Sequence, residues 1–235
     1  LSEVTLDWTV ITGEVFARKK TTNLNGLLVA VPHEIINQYQ DIARLSQIRL
    51  LALEAEIFGL IRSLIKGQNK KGAICIVDFG AQSSTISIIE NGSLKITHSF
   101  DVSGNELTRI LSKSLKISYN EAEEVKKREG VTSSETQTGR VMSPLIDLLL
   151  VELERTCRKF YQGGGKEIEK IIVAGGSGFL PGFKEYLAEW IKKPVEMANP
   201  FAELFYPPVL DQTLKEMGPS YAIAVGMALR GFEKL

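Results

Sequence analysis

Asp78, Gly80, Gln82, Ser83, Ser84 and Thr85 all fall in one run, VDFGAQSST at 77–85. An apolar strand pattern ends there in an acid, a glycine and a hydroxyl-rich turn. In a β-hairpin such a loop can wrap phosphate oxygens with backbone N–H groups and hydroxyls. The acid at the strand end can hold a Mg²⁺-bound water. The run reads equally well as a polar hairpin turn. A second stretch, IIVAGGSGFLPGF at 171–183, runs four apolar residues into Gly175, Gly176, Ser177 and Gly178. Three glycines in four positions allow a tight turn and close approach of the backbone to a flat base and ribose. Strand, glycine turn and helix is how open α/β sheets present ligand sites, although many such turns are structural. A third stretch, GPSYAIAVGMALRG at 218–231, has the small residues of a helix packed closely on another helix.

The elements that must position these stretches follow from patterning. Alternation through Val4, Leu6, Trp8 and Val10 predicts a strand, and Val15 and Ala17 a second one after a turn near Gly13. TTNLNG reads as a loop, 27–31 as a strand and HEIINQYQDIARLSQ as a helix. Residues 48–53 read as a strand leading into a helix over 54–66, so 1–66 form an αβ unit closed by the polar linker GQNKKG. A second unit starts at residue 73. Its strands cover 73–77, 84–90 and 93–100, the last two joined by the hairpin signal Asn91-Gly92. Gly104-Asn105-Glu106 opens a helix, and ISYNEAEEVKKREG reads as a solvated helix with surface charge pairs. VTSSETQTG reads as a loop. A long helix is predicted over 140–161, with Pro144 in its first turns and Gly163 at its end. Pro181 suits the first turn of a helix through KEYLAEWIKK, a short strand follows near Val195, NPFAELFYPPVL reads as a Pro-interrupted loop, and a helix covers 218–231.

Composition narrows the function classes. The 235 residues are 44% hydrophobic and carry 28 basic and 28 acidic side chains, so nothing advertises nucleic acid. No apolar run approaches the ~20 residues that span a bilayer. Cys75 and Cys157 lack CxxC spacing and read as buried thiols of a reducing compartment. With only His33 and His98 besides, the chain lacks a zinc donor set. Residue 1 is Leu and falls within a strand pattern, which suggests an N-terminally truncated chain.

The order and spacing of DFG…T, GNELT, a long helix, AGGSGFLPGF and GxxxAxAxGMALR resemble the actin-like ATPase superfamily of actin, heat-shock 70 chaperones, sugar kinases and FtsA. The runs VSGNELTRIL, VELERTCRKFY, GGSGFLPGFKEYL and GPSYAIAVGMALRGF are most similar to the PilM family of type IV pilus assembly. The resemblance implies an α/β, actin-like (ribonuclease H-like) domain with a mixed sheet and flanking helices, plus a small αβ subdomain. It implies a remnant of the extra FtsA/PilM-type subdomain with the connect-1 helix over 1–66, nucleotide-binding subdomains over 73–217 and a connect-2 helix over 218–235. ATP with Mg²⁺ is the implied ligand. Asp78 would lie near the metal, Gly80, Gln82, Ser83, Ser84 and Thr85 would face phosphates, and Gly104 with Asn105 would mark the turn near the nucleotide. Glu152 or Glu154 would contact ribose or base, and Gly175, Gly176, Ser177 and Gly178 would flank the adenine. Glu54, at the start of the connect-1 helix, is the candidate for positioning an attacking water; a helix-start acid is also favoured by the helix dipole, and that is the stronger of the two readings.

The implied role is a cytoplasmic adaptor, peripheral to the inner membrane through its partners and at most a weak ATPase. Its partners would be a PilN-like N-terminal tail peptide and the pilus motor and platform proteins, with self-association and no nucleic acid. The family's phosphate-1 hairpin, DIGxxxxK, has no counterpart before residue 78. Phosphoryl chemistry is mostly positioning and charge neutralisation, so this chain is expected to bind ATP poorly. An FtsA-like membrane-tethered filament protein is the alternative, weakened by an end, GMALRGFEKL, with few basic residues. A superfamily kinase is a third reading, and no catalytic acid beside a substrate pocket supports it.

Overall fold

The computed structural model describes residues 3–10, 26–65, 72–131 and 136–232. The expected turn at Gly13, the strand through Val15 and Ala17, most of TTNLNG and GQNKKG, and the middle of VTSSETQTG lie outside them. The chain divides into two units, Leu1–Ala55 and Glu56–Leu235.

In the first unit, β1 (Val4–Val10) pairs antiparallel with β2 (Gly26–Pro32), with Trp8 opposite Leu28. Helix α1 (His33–Leu45) follows Pro32 directly, because proline ends the ladder and its fixed φ suits a helix entry. None of the residues of α1 is buried. Residues 48–53 are not the expected strand. No strand pairs with them among the described residues, and Ile48 and Leu51 are exposed. The next helix, α2 (Glu56–Leu64), starts two residues later than its expected start at 54.

The second unit is built on β3 (Ala73–Phe79). Its run AICIV has no polar residue, which is what a strand flanked on both edges and covered on both faces requires. β3 pairs antiparallel with β4 (Ser84–Glu90), and β4 with β5 (Ser93–Phe100). Asn91 and Gly92 both have positive φ, as the two-residue hairpin demands. On its other edge β3 runs parallel to β6 (Ile168–Ala174), which runs parallel to β7 (Val195–Met197). The mixed sheet has the order β5-β4-β3-β6-β7. This order sets Asp78 directly beside Ala174, so the acid and the glycine turn emerge side by side.

Cys75, Val77 and Phe79 share one face of β3 and pack in a core with Leu107 and Leu111 of α3 (Gly104–Leu115), Met142, Ile146, Leu149 and Leu153 of α5 (Gln137–Gln162), and Phe183 of α6 (Phe183–Ile191). The Phe79 and Phe183 rings lie 5.0 Å apart. Burying each such side chain contributes about 2–3 kcal/mol. Between α3 and α5, α4 (Tyr119–Glu129) starts with a reciprocal capping box of Ser118 and Glu121. Helix α5 begins three residues before the expected start because the Thr136 side chain accepts from Gly139 N–H and caps it. Helix α6 begins at Phe183 rather than at Pro181, after Gly182 at φ +79°.

The C-terminal helix α7 (Asp211–Arg230) starts well before residue 218 and continues through Pro219. The Pro219 carbonyl accepts from Gly175 N–H at 2.9 Å, which ties this helix to the glycine turn. The helix partner implied by the small residues of α7 is α2. Ser63 Oγ donates to Ala222 O (2.8 Å) and Arg62 Nη1 to Gly226 O (3.0 Å). A Cβ on Gly226 would overlap Gly59 O, so the two backbones touch at a glycine crossing.

Candidate functional site

Two strand ends meet because residue 175 has no side chain. Gly175 has φ +84°, and a Cβ there would overlap the Phe79 carbonyl and lie 2.6 Å from Asp78 Oδ1. Beyond β3, Gly80 N–H donates to Ser83 O and closes the loop. Gly80 O accepts from Gly104 N–H (3.0 Å) and from Ser177 Oγ (3.1 Å), and Ala81 O accepts from Asn105 N–H (2.9 Å). A Cβ on Gly104 would overlap Ser177 Oγ. Loop 80–83, the first turn of α3 and the turn 175–178 are therefore one hydrogen-bonded assembly. It draws together Asp78, Gly80, Gly104, Asn105, Gly175, Gly176 and Ser177.

This assembly walls one side of a cleft of about 470 Å³. Ala81, Gly104, Asn105, Gly176 and Ser177 line it, with Phe179 and Leu180 as apolar surface and Glu123, Lys126 and Lys127 of α4 supplying charge. Lys126 is only 5% exposed. Its ammonium donates to Gly104 O (2.9 Å) and Thr108 Oγ1 (2.8 Å) and pairs with Glu123 Oε2 (2.6 Å). Thr108 Oγ1 also donates to Glu123. Burial opposes the Glu123 carboxylate, but hydrogen bonds from Lys126 and Thr108 outweigh it and hold its pKa below the usual carboxylate range. A cleft of this size, with an apolar wall and a few fixed polar groups, suits a nucleoside-sized ligand.

Asp78 is electrostatically the most perturbed acid here. Burial, and then the charge of Glu56 at the start of α2, push its pKa up to about 6. A divalent cation would relieve both penalties. Among the described residues no group of three or more His, Cys, Asp or Glu side chains forms a metal cage. Mg²⁺ keeps most of its waters and takes further oxygens from a phosphate, so it needs few protein ligands.

Other expected residues lie elsewhere. Ser84 Oγ is buried and donates to Val102 O (2.5 Å), so it fixes the entry to α3. Thr85 Oγ1 pairs with Ser99 Oγ across β4 and β5. Gln82 and Ser83 are exposed on the loop. Glu152 bonds His98 Nε2 (3.1 Å), and Glu154 accepts from Trp190 Nε1 (3.0 Å); neither lines the cleft. Gly178 is packed against Val173. Glu54 precedes α2 and belongs to the first unit. The residues that sequence reasoning missed are Glu56, Glu123, Lys126 and Lys127. A signal for Lys126 was present: it follows Ala122 by four residues and so shares its helix face.

The family model described as "Type IV pilus assembly protein PilM" matches residues 1–232. A solved "PilM-PilN type IV pilus biogenesis complex" superposes with a TM-score of 0.86 at 22% identity, covering 98% of this chain and 67% of that one. MreB5 of Spiroplasma citri bound to AMPPNP gives 0.58 at 16% identity, covering 85% and 64%. These likenesses show an actin-like α/β fold. Cell division protein FtsA of Neisseria meningitidis serogroup B is 24% identical over 162 residues, 59% of this chain and 39% of that protein. The chain spans about two fifths of the length of the curated FtsA relatives it matches.

Proposed function

The chain belongs to the PilM family of type IV pilus assembly proteins, and from that premise we propose that it acts as a nucleotide-responsive adaptor of the pilus assembly platform. It docks the N-terminal tail of a PilN-like partner, and through that partner it sits at the cytoplasmic face of the inner membrane beside the motor. The observation that carries this reading is the family match over residues 1–232, together with a fold that superposes on the PilM-PilN complex. Among the described residues no helix is long and apolar enough to cross a membrane, which agrees with attachment through a partner. The FtsA relatives match less of the chain, so the pilus reading leads the filament reading.

The nucleotide half rests on the cleft. An adenosine would lie between Gly176, Ser177 and Phe179 on one side and Glu123 and Lys127 of α4 on the other. Lys126 holds Glu123 in place from below and so acts as a positioning residue. Asp78 would hold Mg²⁺ through water, and the metal would neutralise phosphate charge. Glu56 adds negative charge on the same side. Ser177 and the N-terminus of α3 hold loop 80–83 in shape, which keeps its backbone rigid for phosphate contact. In this reading ATP is a conformational ligand, and any hydrolysis is slow.

The test is pull-down of the protein by a synthetic peptide of the PilN-like partner's N-terminal tail. Retention by that peptide, and loss with a scrambled one, is expected. Equal retention by both peptides, or by neither, rejects the adaptor role.

A further inference from the structure

Helix α5 turns Glu154, Cys157, Arg158 and Tyr161 toward a second cavity, of about 300 Å³, which shares no lining residue with the cleft. Their spacing, i, i+3, i+4 and i+7, is that of one helix face. The cavity floor is Ile168 and Ile171 of β6, and Ile191 at the end of α6 closes one side. Residues three apart on a regular strand point to opposite faces. Here the pairing of β3 with β6 slips: Ala73 pairs with Ile168, but Ile74 pairs with Lys170. The extra residue, Glu169, brings Ile168 to the same face as Ile171, and both join the core cluster under α5. A bulge that re-aims a side chain therefore builds this floor.

The polar groups at the rim are unevenly committed. Glu154 Oε1 already accepts from Trp190 Nε1 (3.0 Å), and the Tyr161 hydroxyl accepts from Ile168 N–H (3.4 Å). Lys193 Nζ pairs with Glu167 at 2.9 Å, but that acid is 85% exposed, and an ion pair so open to water exchanges at little cost. Arg158 is exposed and makes no ion pair among the described residues. Two cations against one engaged acid, above a floor of isoleucines, complement an anion with an apolar body. The floor offers no partner to the hydroxyls of a sugar, and the two cations repel a basic ligand.

We propose that this cavity binds a small monocarboxylate with a medium-length acyl chain. The carboxylate lies between Arg158 and Lys193, and the chain lies on Ile168, Ile171 and Ile191. The guanidinium fork matches a carboxylate with two parallel hydrogen bonds. Lys193 exchanges the exposed Glu167 for the ligand. At about 30 Å³ for each water-sized group, the cavity takes roughly ten heavy atoms, which is the size of octanoate. A shorter acid leaves the floor wet, and a neutral chain leaves the rim charges unanswered.

The experiment titrates the folded chain calorimetrically with octanoate, 1-octanol and butyrate, each up to about 10 mM, the range that a ligand of roughly ten heavy atoms reaches even at low efficiency. Octanoate is expected to bind at one site per chain, with 1-octanol and butyrate each at least about tenfold weaker. Arg158→Gln should lower octanoate affinity by about tenfold, the loss of a charge-assisted hydrogen bond, and leave 1-octanol unchanged. Ile191→Trp should fill the cavity and abolish binding of all three. No saturable heat with octanoate, equal affinity for octanoate and 1-octanol, or octanoate binding that Arg158→Gln leaves intact would each overturn the proposal. Because Arg158 is exposed, its variant keeps the fold and decides the matter even where Ile191→Trp does not fold.

Discussion

Asp78→Asn should make the ligand-free protein more stable at neutral pH. The carboxyl sits partly buried at the end of β3 and faces the charge of Glu56, and its pKa rises from 3.8 to about 6. A raised acid opposes folding in its charged form. The penalty is absent below about pH 4, grows as pH rises toward 6, and is complete above that. A shift of roughly two units at 1.36 kcal/mol each gives a cost of about 3 kcal/mol at pH 8. Asparagine keeps the shape and removes the charge. Urea unfolding of both proteins at pH 4 and pH 8 should show a gain of about 3 kcal/mol at pH 8 that is nearly gone at pH 4. The same variant should lose the Mg²⁺ dependence of nucleotide binding, since a carboxylate held at a stability cost is the mark of a functional group. A gain independent of pH, or a variant less stable at pH 8, would refute the electrostatic reasoning.

Three other substitutions separate packing from binding. Gly226→Ala forces a methyl onto Gly59 O at the α2–α7 crossing; with backbone on both sides it should cost roughly 2–3 kcal/mol in thermal unfolding. Lys126→Met leaves the Glu123 carboxylate and the Thr108 hydroxyl without their buried cation, and a loss of about 3 kcal/mol is expected by denaturant titration. Because the Glu123 pKa is lowered in the folded state, the stability it contributes is present above its unfolded value and falls away as pH drops through the folded one; Lys126→Met should flatten that acid limb. Lys127→Ala removes a mostly exposed side chain at the cleft mouth. It should change stability by less than about 0.5 kcal/mol yet weaken binding of a fluorescent adenosine nucleotide severalfold.

Much of the second unit was legible because its signals are local and agree with one another. AICIV, Asn91-Gly92 and the glycine turn after 171–174 each specify their own conformation, and the register Asp78↔Ala174 follows once β3 and β6 pair. What escaped the sequence depends on which face of an element is covered. EAEEVKK carries charges in every direction, and only tertiary packing shows that Lys126 turns inward to Gly104 O. A 26-residue helix gives Glu152 and Glu154 no marked side; the structure directs them to His98 and Trp190. Helix starts moved for physical reasons too. Helix α2 starts at Glu56, and the charge of that acid reaches Asp78. The start of α7 at Asp211 shows that Gly218-Pro219, a helix-entry signal in isolation, is tolerated inside a helix whose Pro219 carbonyl bonds Gly175.

The central claim is that the cleft between α4 and the turn 175–178 receives the adenosine of a bound nucleotide. Photolabelling with 8-azido-ATP in the presence of Mg²⁺, followed by peptide mapping, tests it most directly, and a high probe concentration makes it workable even at weak affinity. The account predicts label on the segments carrying residues 123–127 and 176–180, suppressed by excess ATP and reduced by Lys127→Ala. Label concentrated near Glu152 or His98, or label that excess ATP does not displace, would contradict it.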